Sequence, residues 1–465
     1  MNLLLTPIFA ALIQVASLVV VAWLVGPSEY AIYSLIIASA ALFSGVLIEW
    51  IRQTIARFSG SPRFRTSTWL LGAVRQVASV ISLVLGVGGL SVTALALLLG
   101  EVSFAGLVLS FAVTLAAGAN IDVMSMYLRY RSTARLFSGF LWARSLVGGL
   151  SAVSGAAIFR SAEGAALSAG AASLLMALAF RRRWWPTWRG RVRLRLLARL
   201  AGVGACASTS AIATNFTYTT GRVALVAGLG TASAGAAMLA LDLVIRGVGI
   251  LGTALATWGT RPLYDLAHHS RERVYAAFGR VARVFLFAWM SLGILGAIAA
   301  QILATLWSPS GTDEGRVFIV LNVAAILVLG ARIYLLDPLL IVIGRVQEVA
   351  LSAAILAGSA LIFVTASPFV DSELLALSIP MSVSIATLIY MIRNGSRFRL
   401  GASKPAAILT AAQIVAMIPF AIACPRFGPP EILAALSFFV VIDLVYFWRN
   451  WRDLKLALEN PFADH

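Results

Sequence analysis

Charge is what this sequence has least of. Only 12% of its 465 residues are Asp, Glu, Lys or Arg, against 60% hydrophobic, whereas a soluble domain carries about 25% charged residues. A globule in water could not cover its surface with so little charge, so most of the chain has lipid as its solvent. Lysine is reduced to Lys404 and Lys455, histidine to His268, His269 and His465, and cysteine to Cys206 and Cys424. The His268-His269 pair has neither cysteine nor spaced carboxylate partners, so no metal site is expected. The two cysteines fall near opposite faces of a bilayer whose apolar core is about 30 Å thick, too far apart for a disulfide, which needs Cα atoms within about 7 Å. No Gly-x-x-x-x-Gly-Lys-Ser/Thr loop is present, so nothing points to an on-chain ATPase. No Ser, His and Asp constellation suggests a catalytic residue, and the extracytoplasmic loops are too short to build a glycosyltransferase or polymerase site.

What the chain does have is apolar runs long enough to cross a bilayer, which takes about 20 residues each. They predict an all-α membrane protein of about fourteen spans: 3–25, 30–56, 69–98, 102–126, 138–159, 163–180, 203–228, 231–257, 280–305, 315–342, 347–366, 372–392, 405–424 and 430–448. Helices are required because a spanning backbone must satisfy its own hydrogen bonds, and no barrel-like alternation appears. The start, Met1-Asn2-Leu3-Leu4-Leu5, lacks a basic region ahead of its apolar run, so it is read as a retained first span rather than a cleaved signal.

Orientation follows from the loops, because cytoplasmic loops collect Lys and Arg. With both termini in the cytoplasm, most of the 36 basic residues lie inside, and only Arg160, Arg316 and Arg426 lie in outer turns. The outer turns instead carry Glu29, Glu101, Glu163, Asp313, Glu314, Asp371, Glu373 and Glu431. The formal charge of +17 is therefore a topology signal, and no nucleic-acid partner is expected.

The chain is expected to divide into an amino-terminal lobe (1–180), a basic linker (181–202), a carboxy-terminal lobe (203–392), and a region with two further spans and a tail (393–465). The linker holds Arg181-Arg182-Arg183-Trp184-Trp185-Pro186, then Arg191, Arg195 and Arg199 on one face with Leu194, Leu197 and Ala201 on another. Two readings stay open: an amphipathic segment lying on anionic lipid headgroups, or a plain basic loop. A weak internal repeat supports two lobes. The first outer turn, Leu24 to Leu35, and the turn at Gly228 to Leu239 both place a glycine and a short turn between apolar helices. Such a repeat relates the lobes by an axis along the membrane normal.

Charges inside the spans cost roughly 2.5–3.5 kcal/mol each, yet Arg52, Arg75, Arg144, Arg222, Arg246 and Arg332 face Glu49, Asp122, Asp242, Asp337 and Asp443 in number. A water-filled cavity accommodates such a set more easily than lipid. The candidate cavity residues are Arg52, Glu49, Arg144, Asn215, Tyr218, Arg222, Asp242, Arg246, Arg332 and Asp337. Asp242 and Arg246, four apart with the acid first, could equally neutralise each other, as could Glu49 and Arg52. Arg75, Asp122 and Asp443 lie near span ends and are expected to snorkel or pair with loop charges. Arg332 and Asp337 stand beside Pro338, where a kink is expected. Arg222 has no acid three or four residues away and continues a stripe with Asn215 and Tyr218, so it is expected to face the cavity, with contact to lipid headgroups or to an acid on another helix as the alternatives. A guanidinium there suits an anionic, hydroxyl-rich ligand, because it grips phosphate oxygens in a fork.

Gly26-Pro27-Ser28-Glu29-Tyr30-Ala31-Ile32-Tyr33-Ser34-Leu35 resembles the first outer turn of the polysaccharide exporters of the multidrug/oligosaccharidyl-lipid/polysaccharide (MOP) superfamily, which include the O-antigen and exopolysaccharide flippases. Ala31 stands where that pattern has a second glycine. Gly221-Arg222-Val223-Ala224-Leu225-Val226-Ala227-Gly228 is similar to the family's seventh-helix signature, with Gly221 where Asp is common. The resemblance implies two six-helix lobes in a V, plus two further helices. It implies an undecaprenyl-diphosphate-linked oligosaccharide as ligand, with Arg222 and Arg52 as cavity cations, and other polysaccharide-assembly membrane proteins as partners. It implies a bacterial inner membrane as the setting, no enzymatic activity and no cofactor, with the driving force left between a proton and a sodium gradient. Two alternatives remain: a cation-coupled multidrug exporter of the same superfamily, and a non-transporting enzyme or scaffold of polysaccharide assembly. The exporter would favour acids deep in the first and seventh spans; the first has none and the seventh carries Arg222.

Overall fold

The computed structural model describes residues 5–59, 68–131, 134–184, 194–266, 313–365 and 378–394, with scattered positions between 274 and 289. Spans thirteen and fourteen, and Cys424 with them, lie outside the described residues. Every described element is helical: α1 (Leu5–Val25), α2 (Pro27–Ser59), α3 (Thr68–Leu98), α4 (Val102–Arg131), α5 (Ala134–Phe159), α6 (Ala162–Trp184), α7 (Leu194–Leu266), α8 (Asp313–Ala331), a π-helical turn (Arg332–Leu336), α9 (Asp337–Val342), α10 (Val346–Thr365) and α11 (Ser378–Asn394). Eight of these helices are long and apolar enough to cross a membrane. The chain is a multi-pass, all-α membrane protein.

Several helices run past the predicted spans. α2 reaches Ser59, α4 reaches Arg131, α6 reaches Trp184, and α7 starts at Leu194. Hydropathy reports only the lipid-embedded part of a helix, while the backbone ladder continues into the headgroup layer. Both flanks of the expected 181–202 linker therefore belong to α6 and α7; residues 185–193 lie outside the described residues. The seventh and eighth predicted spans form the two limbs of α7, broken at Gly230, whose φ of 73° suits a residue without Cβ. The kink expected at Pro338 is preceded by the π-helical turn. The extra residue per turn relieves the clash of the proline ring with the carbonyl one turn back.

Two groups of helices pack within themselves. α4 and α5 each lie against α6, with α3 and α2 on α4 and α1 on α5; α10 lies against α7 and α11, and α8 against α7. α2 on α7, with a smaller contribution from α1, joins the groups. The interfaces are built largely from alanine, which lets backbones approach where lipid offers no hydrophobic drive. Gly155 is the tightest such point in α5: an added Cβ would lie 2.5 Å from the backbone oxygen of Gly164 on α6. Gly155→Val is therefore expected to cost at least the roughly 1–3 kcal/mol of an overpacked core, measured as a lowered thermal unfolding midpoint in detergent. In contrast, α3 turns Val80, Leu83, Val84, Val87, Leu90 and Leu95 outward, as a lipid-facing helix does.

The buried cores place the seam. At the Gly26 end, Leu18, Tyr30 and Ala31 share one apolar cluster with Leu225, Ala234 and Met238 of α7. Toward the opposite end, Ile48, Ile51, Met124 and Phe140 form a second cluster drawn from α2 to α6 alone. Among the described residues, the two groups thus merge at the Gly26 end, and the first group closes on its own core at the other.

Candidate functional site

The turn into α2 builds the closed end. Gly26 (φ +83°) reverses the chain and Pro27 opens α2, where its missing N–H costs nothing. The Glu29 carboxylate accepts a bond from Ala162 N at 2.9 Å and caps α6. Tyr30 and Ser34, one turn apart on α2, meet α7. Gly235, just past the break, packs so closely that an added Cβ would stand 2.1 Å from the Pro27 carbonyl oxygen. The two turns of the sequence repeat thus lie against each other.

Because α7 doubles back at Gly230, Arg222 on its first limb comes alongside Asp242 on its second. Arg222 Nη2 lies 2.5 Å from Asp242 Oδ1. Its Nε donates to Ser34 Oγ at 3.0 Å, and its Nη1 to the Tyr218 carbonyl at 3.0 Å. Ser34 Oγ passes its own hydrogen to Asp242 Oδ2 at 2.7 Å, where Tyr30 also donates at 3.0 Å. Arg222 is buried and Tyr30 has no exposed surface. Further along the seam, Thr219 donates to the Ala38 carbonyl at 3.2 Å and Asn215 to the Ala41 carbonyl at 3.4 Å.

Beside this seam lies a chamber of about 250 Å³, walled mainly by the first group, with Gln14, Tyr33, Ser44, Asp122, Arg144 and, from α7, Arg246 among its lining residues. Arg246 Nη1 donates to Gln14 Oε1 at 3.4 Å, and Gln14 Nε2 donates to Ser145 Oγ at 3.0 Å. The charged neighbours acting on Arg144 are Asp122, Arg52 and Arg246.

Of the ten candidates, the structure brings Arg144 and Arg246 to the chamber wall. Arg222, Asp242 and Asn215 lie where α2 meets α7, and Arg222 finds there an acid on another span, one of the alternatives its sequence left open; Tyr218 contributes its carbonyl to Arg222. The neutralisation of Arg246 by Asp242 is corrected: the carboxylate is taken by Arg222, Tyr30 and Ser34. Glu49 and Arg52 pair with each other at 2.7 Å, with Gln53 bonding Glu49 at 2.8 Å. Arg332 and Asp337 form a separate buried centre in the second group. Arg332 Nε stands 3.6 Å from Asp337, which Ser210 (2.5 Å) and Tyr390 (3.0 Å) also bond. The Arg332 guanidinium bonds Ser352 and lies 4.8 Å from the centre of the Tyr390 ring. Gln14, Ser44 and Asp122 were missed as chamber residues; Gln14, polar within an apolar run, was the available signal. Among the described residues, no three His, Cys, Asp or Glu side chains group as a metal site would require.

No family model matches the chain, and no curated protein does. Solved structures do. An inward-facing multidrug resistance MATE family transporter of the MOP superfamily is 16% identical, with 87% of this chain and 96% of that one covered at a TM-score of 0.52. The chain has the fold of MOP-superfamily transporters. An outward-facing structure of a multidrug resistance MATE family transporter matches at 15% identity, 87% and 96% coverage and a TM-score of 0.52. A MOP-superfamily transporter from Pyrococcus furiosus, for which reversed polarity of the binding pocket suggests a different function, matches at 13% identity, 84% and 96% coverage and 0.51.

Proposed function

We propose that this chain is an alternating-access transporter that carries a lipid-diphosphate-linked oligosaccharide from the cytoplasmic to the outer leaflet for surface polysaccharide synthesis. The observation that carries this reading is the chamber with Arg144 and Arg246 in its wall. Among the described residues neither guanidinium is in an ion pair, since Asp242 is committed to Arg222. With Asp122 the chamber keeps a net positive charge, and its serines and Gln14 supply partners for sugar hydroxyls or phosphate oxygens. Its volume is below the roughly 300–1,000 Å³ of drug-sized pockets. It fits the phosphate and first sugar, while the lipid tail stays in the bilayer. Under the positive-inside orientation, the Gly26 end is the outer end, so the state described here is closed to the outside.

The competing reading, a multidrug exporter of organic cations, has Asp122 in the same chamber in its favour. Binding separates the two. In nanodiscs, Arg144→Ala and Arg246→Ala are each expected to weaken a fluorescent prenyl diphosphate about ten-fold or more, as loss of a charge-assisted hydrogen bond does. Lysine at either position restores only part, lacking the planar fork. Wild-type affinity for the diphosphate in both alanine variants, with an organic cation displaced by Asp122→Asn, would discard the anionic reading.

A further inference from the structure

Among the described residues, Arg246 is the one chamber-lining residue that the second helix group supplies; the others come from α1, α2, α4, α5 and α6. It reaches across the seam, and Gln14 of α1 meets it there. The carboxamide accepts from Arg246 through its oxygen and donates through its nitrogen to Ser145, the residue next to Arg144. One turn back on the same limb, Asp242 is held to α2 by Tyr30 and Ser34. The position of Arg246 in the chamber therefore depends on the seam being shut, whereas Arg144 sits in α5 and keeps its place whatever α7 does.

We propose that the anion site is divided between the two helix groups, with Arg246 as its detachable half and Gln14 as the residue that positions it. The proposal rests on the transporter reading above and assigns the release step. While the seam is closed, an oxyanion such as a phosphate meets two guanidinium groups in a small chamber. Opening at the Gly26 end parts α7 from α1 and α2, breaks the Gln14 contact, and withdraws Arg246. One cation remains in a chamber now open to water, where a Coulomb attraction is worth a fraction of its buried value. The ligand leaves on the side that has just opened, and loss of affinity and opening are one motion. This differential affinity also satisfies the requirement that a ligand bias a two-state equilibrium only through unequal binding to the two states.

The test is a double-mutant cycle on the full chain in nanodiscs, with a fluorescent short-chain prenyl diphosphate as probe. Gly235→Val wedges the seam apart. Spin labels at Ser28→Cys and Ser233→Cys, both exposed positions, in a background with Cys206 and Cys424 replaced by serine, report the separation. With the seam closed, Arg246→Ala is expected to weaken the probe about ten-fold or more. In the wedged protein it should change affinity by less than about two-fold, while Arg144→Ala still weakens it. Gln14→Ala should behave as a milder Arg246→Ala, with an effect confined to the closed state. An equal loss for Arg246→Ala in both backgrounds would overturn the divided site. If neither arginine matters even in the closed protein, the anionic ligand itself is refuted, a different failure. Should Gly235→Val fold poorly, the paired Tyr30→Phe and Ser34→Ala replacements loosen the same seam by removing hydroxyls.

Discussion

Gly235→Val is expected to hold the Gly26 end of the molecule apart. The clash is with backbone: an added Cβ would fall 2.1 Å from the Pro27 carbonyl oxygen and 2.7 Å from its carbonyl carbon. Those atoms cannot rotate away as a side chain could. Pro27 is also fixed between the Gly26 turn and the first turn of α2. Each helix group keeps its own packing, so the least costly relief is movement of α7 away from α2. Spin-label distances across the seam should lengthen and shift from one population to another. An unchanged distance with normal folding would mean that the turn yields locally and that the seam is not a hinged joint.

Asp242→Ala is expected to be among the most destabilising single replacements in the chain. It leaves the buried Arg222 guanidinium without its counter-charge, which typically costs about 3–5 kcal/mol, and strips Tyr30 and Ser34 of their acceptor. Removing both charges, as Arg222→Met with Asp242→Leu, should recover much of that loss, because neither charge then has to be kept out of water. Thermal unfolding of the single and double variants measures the difference. Wild-type midpoints for both would show that the pair contributes little and that the seam rests on apolar packing.

The fold was largely legible because its main determinant, the length of apolar runs, is written continuously along the chain. Span ends such as Val25, Leu98 and Phe159 coincide with helix ends because turns follow at once. The ends at Ser59, Arg131 and Trp184 do not, because a helix entering the headgroup region meets no hydropathy signal that stops it. The site was less legible, and Arg222 shows why. Its burial without a local acid marked it as unusual, but its partner lies 20 residues on, across a reversal at Gly230. Helical spacing favours Arg246 as the mate of Asp242; only the antiparallel return of α7 brings Arg222 closer. The Gly26-to-Ser34 segment was visible as a resemblance, whereas its work is geometric: Glu29 caps α6, and Tyr30 and Ser34 secure α7. The chamber polar groups escaped because Gln14, Ser44 and Asp122 come from three helices with no shared spacing.

Reconstitution separates a lipid-diphosphate carrier from a cation exporter in one assay. The purified protein is placed in liposomes and challenged with a labelled lipid-diphosphate oligosaccharide and, separately, with a labelled organic cation. Leaflet exchange of the first is expected, diminished by Arg144→Ala and Arg246→Ala, with no uptake of the second. Movement of the cation alone, indifferent to both arginines, would rule out an anion-carrying chamber.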